Sequence, residues 1–516
     1  MFKKIAVVGA GFAGLSTGNL LSRLGYDVTV FEKDAEVGGV WASSRRYPGL
    51  GTQNPGRTYS LSEYPMPKHY PEWPTGEQMQ QYFEGYVDHF GFRNIIQFNT
   101  EVLAAYYDDE EHKWTLNTNK VGASSDNENK EIFDFLIVCN GIFSKPKVPE
   151  FLGQEEWFKA GGEIIHTSDF NDLDKVRGKR VVVIGYGKSS CDAAFSASKV
   201  AESTQVVARS IIWKIPKKIG GLINFKHLFL TRFGEGLFKY INLKGFDRVI
   251  HGPGKPVRNV LLNTVGGIIS RQLNMKECGL YPDGPIETIA RTSISLATDG
   301  FFKAVKENKI SVHRNTQIKS LGAGIVELEN GERIEADVII AGTGFHQTIP
   351  FFSSDYIKRF TKDNGDFCLY KQVLPVGVPD LAFVGYNSSF FSQLSCETAA
   401  MFVSEYLRGA IDLPSVDEQQ KFVDERLEWA KTRTNGNYFK GTYVVPFSLR
   451  QIDELLDMLD LNLNKFEKLK QWFFVAKPDA YAACYKELMV RNKVKDRNVS
   501  KIVHQQIGEV VNDVEA

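Results

Sequence analysis

Four residues near the start of the chain have the spacing of a dinucleotide-binding turn. Gly9, Gly11 and Gly14 follow the apolar run of residues 5–8, and Glu32 ends the next apolar run, residues 28–31. Glycines let the backbone turn tightly and approach a pyrophosphate, which then lies at the N-terminus of the following helix. A carboxylate at the end of the second strand accepts hydrogen bonds from free ribose hydroxyls. The pattern predicts a dinucleotide without a 2′-phosphate.

A second glycine turn is followed by a basic residue where the first is followed by an acidic one. Gly185, Gly187 and Ser190 follow the apolar run 181–184, and Arg209 closes the run 206–208. Ser190 replaces the third glycine and is small enough to keep the helix close to the strand. A guanidinium at this strand end pairs with a 2′-phosphate, although an ordinary solvated surface charge is the alternative interpretation of Arg209. The two turns together predict FAD and NADPH, and therefore a flavin-dependent oxidoreductase.

Residues flanking the turns are predicted to bind the cofactors with them. The run Gly38-Gly39-Val40-Trp41 offers another close backbone approach just beyond Glu32. Trp41 fits flavin contact and plain core packing equally well. The remaining predicted cofactor-binding residues are Phe12, Ala13, Lys33, Thr52, Val102, Gly141, Tyr186, Lys188, Ser189, Ser210, Gly342, Thr343, Gly344 and Gln393.

Composition limits the class of protein. The chain has 516 residues, 43% hydrophobic and 24% charged, with a formal net charge of zero. These values are typical of a globular protein of about three domains, and nothing in them favours nucleic-acid binding. The first strand begins too early for a signal peptide, and no apolar run has the length of a membrane span, so we expect a cytoplasmic protein.

Six cysteines are scattered through the chain without a CxxC motif. Buried, reduced thiols are the expected state. The missing motif argues against a dithiol-disulfide reductase, another user of paired FAD and NADPH folds. No cluster of His, Cys or Asp has metal-ligand spacing, so we expect no metal.

These motifs predict an α/β protein with two Rossmann-like domains, the NADPH domain inserted into the FAD domain. We assign residues 1–170 and 341–450 to the FAD domain, 171–340 to the NADPH domain and 451–516 to a helical extension. A helix is expected over residues 76–90 and meander strands over 95–98, 102–107 and 114–118. A flexible hairpin tip is expected near residues 121–130. Residues 133–139, and later 339–341 with Gly342-Thr343-Gly344, are expected to return the chain to the FAD domain.

The NADPH domain contains an insertion, residues 215–282, with many aromatic and basic residues. Mixed apolar spacings beside Lys and Arg predict amphipathic helices. Core packing, a substrate funnel and peripheral membrane contact are three interpretations of this segment. Its apolar residues, with Trp213 at the entrance, are Phe225, Leu228, Phe229, Leu230, Phe233, Leu237, Phe238 and Tyr240.

A stretch upstream of the second turn resembles the signature of class B flavin-dependent monooxygenases, which include the flavin-containing and the Baeyer–Villiger monooxygenases. Gly162, His166 and Phe170 fit that signature, whereas Ala160 and Asn171 depart from it. Runs at 138–141, 144–146, 341–345, 381–385 and 443–447, together with a glutamate at 397, are also similar to the family. The resemblance covers roughly residues 1–450. It implies that His166 braces the interdomain linker and does not act as a base.

Asn54 is the predicted catalytic residue. The run Thr52-Gln53-Asn54 is similar to the stretch of flavin-containing monooxygenases that places an Asn beside the flavin C4a. Baeyer–Villiger enzymes tend to have an Asp there, after a run matched here by Arg46-Tyr47-Pro48-Gly49. An amide hydrogen-bonds without ionising, which favours heteroatom oxygenation. The alternative is that Asn54 is a turn residue before Pro55-Gly56.

The resemblance implies an NADPH- and O₂-dependent monooxygenase that oxygenates an amine nitrogen or a sulfide sulfur through a C4a-(hydro)peroxyflavin. The alternatives are Baeyer–Villiger oxidation of ketones, an NADPH oxidase or flavin reductase that releases peroxide, and a non-enzymatic redox sensor. The expected partners are a small-molecule substrate and O₂, and a homodimer is the expected kind of assembly.

Overall fold

A five-stranded parallel sheet holds the first glycine turn. The computed structural model describes residues 3–123, 128–291, 295–442 and 445–492. The sheet has Lys4–Val8 at its centre, because this apolar strand is buried on both faces. The strand order across the sheet is Leu381–Phe383, Phe135–Val138, Lys4–Val8, Asp27–Phe31 and Ile96–Gln97.

A second parallel sheet of five strands holds the second glycine turn. Its central strand, Arg180–Ile184, is again apolar and largely buried. The order across the sheet is Ser311–Arg314, Ser203–Ala208, Arg180–Ile184, Val338–Ala341 and Glu163–His166. Two parallel sheets with crossover helices confirm the predicted α/β class with two dinucleotide-binding units.

The chain enters the first sheet, builds the second, and then returns. Val338–Ala341, which we expected to lead back to the first domain, instead pairs with Arg180–Ile184 in the second sheet. The return strand is Leu381–Phe383. Glu163–His166 also pairs in the second sheet, although the boundary predicted at residue 170 assigns it to the first domain. The division into domains therefore stays a prediction.

The meander differs from the expected one. Ile96–Gln97 extends the parallel sheet beside Asp27–Phe31, and the antiparallel meander is Thr100–Asp108, Lys113–Lys120 and Asn129–Phe133. The single strand expected over 133–139 is divided at Asp134, whose main-chain N–H and carboxylate both bond to Lys4 and turn the chain from one sheet into the other. The expected hairpin tip lies partly outside the described residues.

Four helices flank the glycine turns and the predicted active site. Phe12–Arg23 and Lys188–Ala197 follow the two turns, and Ser392–Leu407 follows the return strand. Gly76–Phe90 has the predicted bounds, because a Thr75 capping box starts it and Gly91, at φ 69°, ends it. Other helices in the described ranges include Gln154–Lys159, Lys226–Phe229, Arg232–Gly236, Phe246–His251, Lys255–Gln272, Phe301–Lys306, Ser354–Ile357, Val416–Thr434, Ser448–Met458 and Lys465–Phe473.

Short strands complete the described structure. Ile318–Gly322, Ile325–Leu328 and Arg333–Glu335 form an antiparallel sheet. The two-residue pairs are Lys145–Pro146 with Phe345–His346, Lys214–Ile215 with Ser295–Leu296, Lys218–Ile219 with Ile223–Asn224, and Leu369–Tyr370 with Leu374–Pro375.

The insertion packs against the C-terminal helices. Arg232 donates two hydrogen bonds to Asp453, at 2.6 and 3.0 Å, and Glu235 accepts from the main-chain N–H groups of Leu449 and Arg450. Leu228 and Phe233 are half-buried, and the other apolar side chains named for this segment are buried. Core packing therefore accounts for most of them. Within the described ranges, no helix is both long and apolar enough to cross a bilayer.

Candidate functional site

The first glycine turn brings a helix N-terminus against the strand that precedes it. Gly9 has φ 107°, and a Cβ on Gly14 would lie 1.8 Å from the Gly9 carbonyl oxygen. Only glycine fits at position 14, because the backbone of the helix lies directly against the backbone of the turn at Gly9. The N-terminus of Phe12–Arg23 carries no acidic residue in its first turn. Its free N–H groups and helix dipole can therefore receive a pyrophosphate. Ala13 is buried and Phe12 half-buried at this end.

Glu32 lies directly beside this turn. Its Oε2 accepts a hydrogen bond from the Ala10 N–H at 2.6 Å, and its Oε1 accepts from the Asp34 N–H at 2.9 Å. Parallel strands end at the same edge of the sheet, which is why a residue after the second strand meets the turn after the first. Burial raises the pKa of the Glu32 carboxyl, and the two N–H donors oppose that rise. The next residue, Lys33, is exposed.

The second close backbone approach predicted from the sequence lies against the first turn. The Gly38 N–H donates to the Ala10 carbonyl at 3.0 Å. A Cβ on Gly39 would lie 3.3 Å from the Gly11 Cα. Val40 is half-buried, and the buried Trp41 ring packs edge-on against Tyr59 at 5.8 Å between centroids. The two glycine runs thus form one cradle with Trp41 at its side.

Several predicted cofactor residues have buried polar atoms that no other described residue satisfies. They include Thr52 Oγ1 and Gln393 Oε1, and both residues are almost fully buried. An unpaired buried polar group costs about 1–3 kcal/mol, so a ligand that bonds to it is strongly favoured. Together with the glycine cradle and Glu32, these atoms fit the ribose, pyrophosphate and ring system of FAD.

Asn54 is buried between the first domain and the N-terminus of Ser392–Leu407. Its Nδ2 donates a hydrogen bond to the Phe390 carbonyl oxygen. The Phe390 N–H in turn donates to Ser448 Oγ at 3.1 Å. The side chain is therefore held by the loop that leads to Gln393. A residue with only a local role in the turn before Pro55-Gly56 would not need this long-range hydrogen bond.

The second turn is built like the first, with Ser190 as its third small residue. Gly185 has φ 103°, and a Cβ there would lie 2.7 Å from the Gly342 carbonyl oxygen. Ser190 Oγ donates to that oxygen at 3.2 Å. Gly342, Thr343 and Gly344, which we placed at a return to the FAD domain, thus follow a strand of the second sheet, and Gly342 lies against the second turn.

The charges near the second turn separate into exposed and buried groups. Arg209 and Ser210 are exposed at the end of Ser203–Ala208, and Arg209 makes no ion pair with another described residue, so its guanidinium is free for a phosphate. Lys214, the next basic residue along the chain, is almost fully buried. Its Nζ donates to Ser295 Oγ at 2.8 Å and lies 4.7 Å from the Tyr186 ring centroid. Burial lowers the pKa of Lys214. Lys214 therefore supports Tyr186 and does not reach a phosphate at the surface.

Sequence reasoning missed an interdomain cluster around Asp192. The Tyr47 hydroxyl donates to Asp192 Oδ2 at 3.2 Å, and Thr298 Oγ1 donates to Oδ1 at 2.5 Å. Lys188 forms an ion pair with the same carboxylate, and Ser189 is half-buried beside it. Burial and the Asp192 charge raise the pKa of Tyr47 well above its usual value. The Arg46-Tyr47-Pro48-Gly49 run was the available signal, but nothing local identified Asp192 as its partner.

His166 has both ring nitrogens engaged. Nδ1 lies 2.8 Å from Ser168 Oγ, and Nε2 lies 2.9 Å from the Gly344 carbonyl oxygen. The ring also packs edge-on against Phe345. Burial lowers the pKa of His166, which favours the neutral imidazole. These contacts tie the second sheet to the linker and support the bracing role.

Two predicted residues lie further along the first domain. Val102 is buried on the meander strand Thr100–Asp108, and Gly141, at φ 73°, follows Phe135–Val138. A cavity of about 640 Å³ borders the Asp192 cluster at Thr298, although no predicted site residue lines it. Residues lining that cavity include Trp73, Lys217, Lys218, Asp299, Phe302 and Lys303.

The family to which the chain belongs is shown by a family model that matches most of its length. The model of the flavin-binding monooxygenase-like family matches residues 2–469. The chain belongs to this family. This membership confirms the predicted resemblance, the enzyme class and the pair of cofactors, FAD and NADPH.

Relatives and solved structures agree with that membership. The chain is 24% identical to a probable flavin-containing monooxygenase 1 of Arabidopsis thaliana over 90% of this chain and 93% of the relative. Its fold is similar to that of S-allyl-L-cysteine S-oxygenase from Allium sativum, with 19% identity, a TM-score of 0.61 and coverage of 97% and 98%. Cyclohexanone monooxygenase from a Rhodococcus species bound to NADP⁺ gives 18% identity, a TM-score of 0.66 and coverage of 89% and 98%.

Proposed function

We propose that this enzyme uses NADPH and O₂ to oxygenate a soft nucleophile, either an amine nitrogen or a sulfide sulfur. FAD, when bound, supplies the electron transfer and the reaction with dioxygen. The chain's own residues bind and orient the two dinucleotides, exclude water and place hydrogen-bond donors at the reacting atoms.

Each sheet supplies one dinucleotide site. The first turn would hold the FAD pyrophosphate at the N-terminus of Phe12–Arg23, with Glu32 on the ribose and Thr52 and Gln393 bonded to the remainder of the cofactor. The second turn would hold NADPH in the same way. Arg209 would bind its 2′-phosphate, because its guanidinium is exposed at the end of the strand.

The proposed substrate class rests on the buried amide of Asn54. The amide has two N–H groups, and its Nδ2 bonds to the Phe390 carbonyl, which leaves one N–H and Oδ1 for a ligand. An amide carries no charge at any ordinary pH, so it donates a hydrogen bond beside the flavin without adding negative charge. That environment favours an electrophilic oxygen donor, which soft nucleophiles attack.

Baeyer–Villiger oxidation is the second candidate, because the Arg46-Tyr47-Pro48-Gly49 run resembles those enzymes. In this chain Tyr47 bonds to Asp192 of the second domain. One structural neighbour is named an S-oxygenase and another a cyclohexanone monooxygenase, so the names of the neighbours support the two candidates equally. The compartment and a homodimeric state stay predictions.

A competition assay tests the proposal. The FAD-loaded enzyme receives NADPH, O₂ and an equal mixture of a thioether and a cyclic ketone, and products and peroxide are quantified per NADPH consumed. We expect sulfoxide as the main product. Lactone as the main product would establish the Baeyer–Villiger alternative, and peroxide in stoichiometric yield without an oxygenated product would indicate an oxidase.

A further inference from the structure

The helix Lys465–Phe473 presents three of its apolar side chains to solvent. Phe466, Leu469 and Phe473 lie three and four residues apart on one face and are 71%, 59% and 75% exposed. Gln471, by contrast, is buried, and its Oε1 accepts hydrogen bonds from Arg232 and the Tyr481 hydroxyl. A surface helix ordinarily buries its apolar stripe and exposes its polar one. This helix does the reverse, so its outer face is built for contact with something apolar.

A second helix extends the same surface. Phe246 and Val249 lie three residues apart on Phe246–His251 and are 51% and 48% exposed. The Phe246 ring packs edge-on against Trp472 at 5.7 Å, which joins the two helices side by side. Phe474, 61% exposed, directly follows the helix Lys465–Phe473. We call the set Phe246, Val249, Phe466, Leu469, Phe473 and Phe474 the apolar face.

The exposed charges on these two helices and their flanks are predominantly positive. Lys244, Arg248 and Lys255 are exposed around the first helix, and Lys465 and Lys477 around the second. The acidic residues within the two helices are already paired. Glu467 bonds to Lys470 at 3.2 Å, and the buried Asp247 bonds to Arg450 at 2.6 Å.

We propose that the apolar face docks on an anionic lipid bilayer, with its aromatic side chains inserted at the headgroup boundary and the surrounding cations on the phosphates. An exposed aromatic stripe with basic neighbours has the composition of interfacial membrane-binding helices. A second copy of the chain is disfavoured as the occupant, because a twofold contact brings the same cations of both copies together. The inference concerns attachment alone and is independent of the substrate chosen at Asn54.

Vesicle co-sedimentation tests the attachment. The FAD-loaded full-length protein is mixed with vesicles of phosphatidylcholine alone or of phosphatidylcholine with phosphatidylserine, at low and high salt. We expect binding to the anionic vesicles that weakens with salt. The double variant Phe466→Ser/Phe473→Ser should bind at least about tenfold more weakly, because two aromatic anchors are lost. NADPH oxidation should stay unchanged, since these side chains are exposed and neither belongs to the predicted cofactor-binding set.

A matched control replaces two similarly exposed apolar residues outside the apolar face, Ile132→Ser/Leu152→Ser, and should bind like the unmodified enzyme. Vesicle binding that is absent from the unmodified protein, or that persists in Phe466→Ser/Phe473→Ser, would overturn the proposal. A concentration-dependent dimer in ultracentrifugation that the Phe466→Ser/Phe473→Ser variant loses, without vesicle binding, would assign the face to a second copy instead.

Discussion

Asn54 Nδ2 donates a hydrogen bond to the carbonyl oxygen of Phe390, which lies 336 residues further along the chain. This bond joins the loop that follows Gly38-Gly39 to the loop that precedes the helix Ser392–Leu407. It fixes the orientation of the one amide that we propose to be catalytic. Any change that alters the charge or the support of Asn54 should therefore change how efficiently NADPH oxidation is coupled to product.

Asn54→Asp should convert productive turnover into peroxide release. The carboxylate adds negative charge and removes both donors, one of which bonds to Phe390. We expect product per NADPH to fall about tenfold or more, because the variant loses a hydrogen bond and buries a charge, and each costs about 1 kcal/mol or more, with little change in KM for NADPH. Quantifying peroxide and product in the same assay checks this. The exposed Asn129→Asp carries the same substitution and should behave like the unmodified enzyme; equal coupling in all three proteins would remove Asn54 from the mechanism.

Ser448→Ala should show a milder version of the same loss. Ser448 Oγ accepts the Phe390 N–H at 3.1 Å, so it supports Asn54 through that loop and has no direct contact with it. We expect a fewfold rise in the peroxide fraction at constant KM for NADPH, and recovery in Ser448→Thr, which keeps the hydroxyl. A loss of stability without a change in the peroxide fraction would assign Ser448 a structural role only.

Arg209→Ala should abolish the preference for NADPH over NADH. Charge-assisted hydrogen bonds contribute about 1.5–3 kcal/mol, so kcat/KM for NADPH should fall roughly 10- to 100-fold while that for NADH stays constant. Steady-state kinetics with each coenzyme measures the ratio. Arg333→Ala removes another exposed arginine and should leave the ratio intact. An unchanged preference in Arg209→Ala would place the 2′-phosphate elsewhere.

Glu397 should make the enzyme less stable as the pH rises. Burial raises the pKa of Glu397 from 4.5 to about 8, although Ser62 donates hydrogen bonds to the carboxylate from its N–H and its hydroxyl. Between those values the folded chain keeps a proton that the unfolded chain releases, so the free energy of unfolding decreases with rising pH. Urea denaturation of the FAD-loaded enzyme across this range measures the slope.

Glu397→Gln should reduce that slope without abolishing it, because burial also raises the pKa of Glu235, to about 7. Glu111→Gln, at an exposed position, is the control and should retain the full slope. A slope in Glu397→Gln as steep as in the unmodified enzyme would show that Glu397 is ionised in the folded state.

Local sequence patterns predicted the cofactor cradles because their geometry is local. The turn at Gly9, the helix after it and Glu32 lie within one βαβ unit, so strand length and glycine spacing suffice to place the carboxylate beside the turn. The two-residue strand Ile96–Gln97 has too few residues to show a period, and its pairing with Asp27–Phe31 depends on tertiary context.

Contacts between distant segments could not be predicted from local sequence patterns. Lys214 is an ordinary basic residue in sequence, and only the packing of Ser295 and Tyr186 around it shows that it is buried. The sequence around Asp192 does not predict its hydrogen bond with Tyr47. The sequence around Asn54 likewise does not predict its hydrogen bond to Phe390. The outward-facing Phe466 and Phe473 look like core residues until Gln471 is seen to occupy the buried side of their helix.

The central claim, oxygenation of a soft nucleophile with NADPH and O₂, is tested most directly by rapid mixing. The enzyme is reduced anaerobically with NADPH and then mixed with oxygenated buffer while flavin absorbance is recorded, with and without a thioether. We predict a long-lived absorbance band distinct from oxidised and reduced flavin that requires bound NADP⁺ and decays faster with the thioether, giving sulfoxide. Direct return to oxidised flavin with stoichiometric peroxide, unaffected by the thioether, would contradict the account.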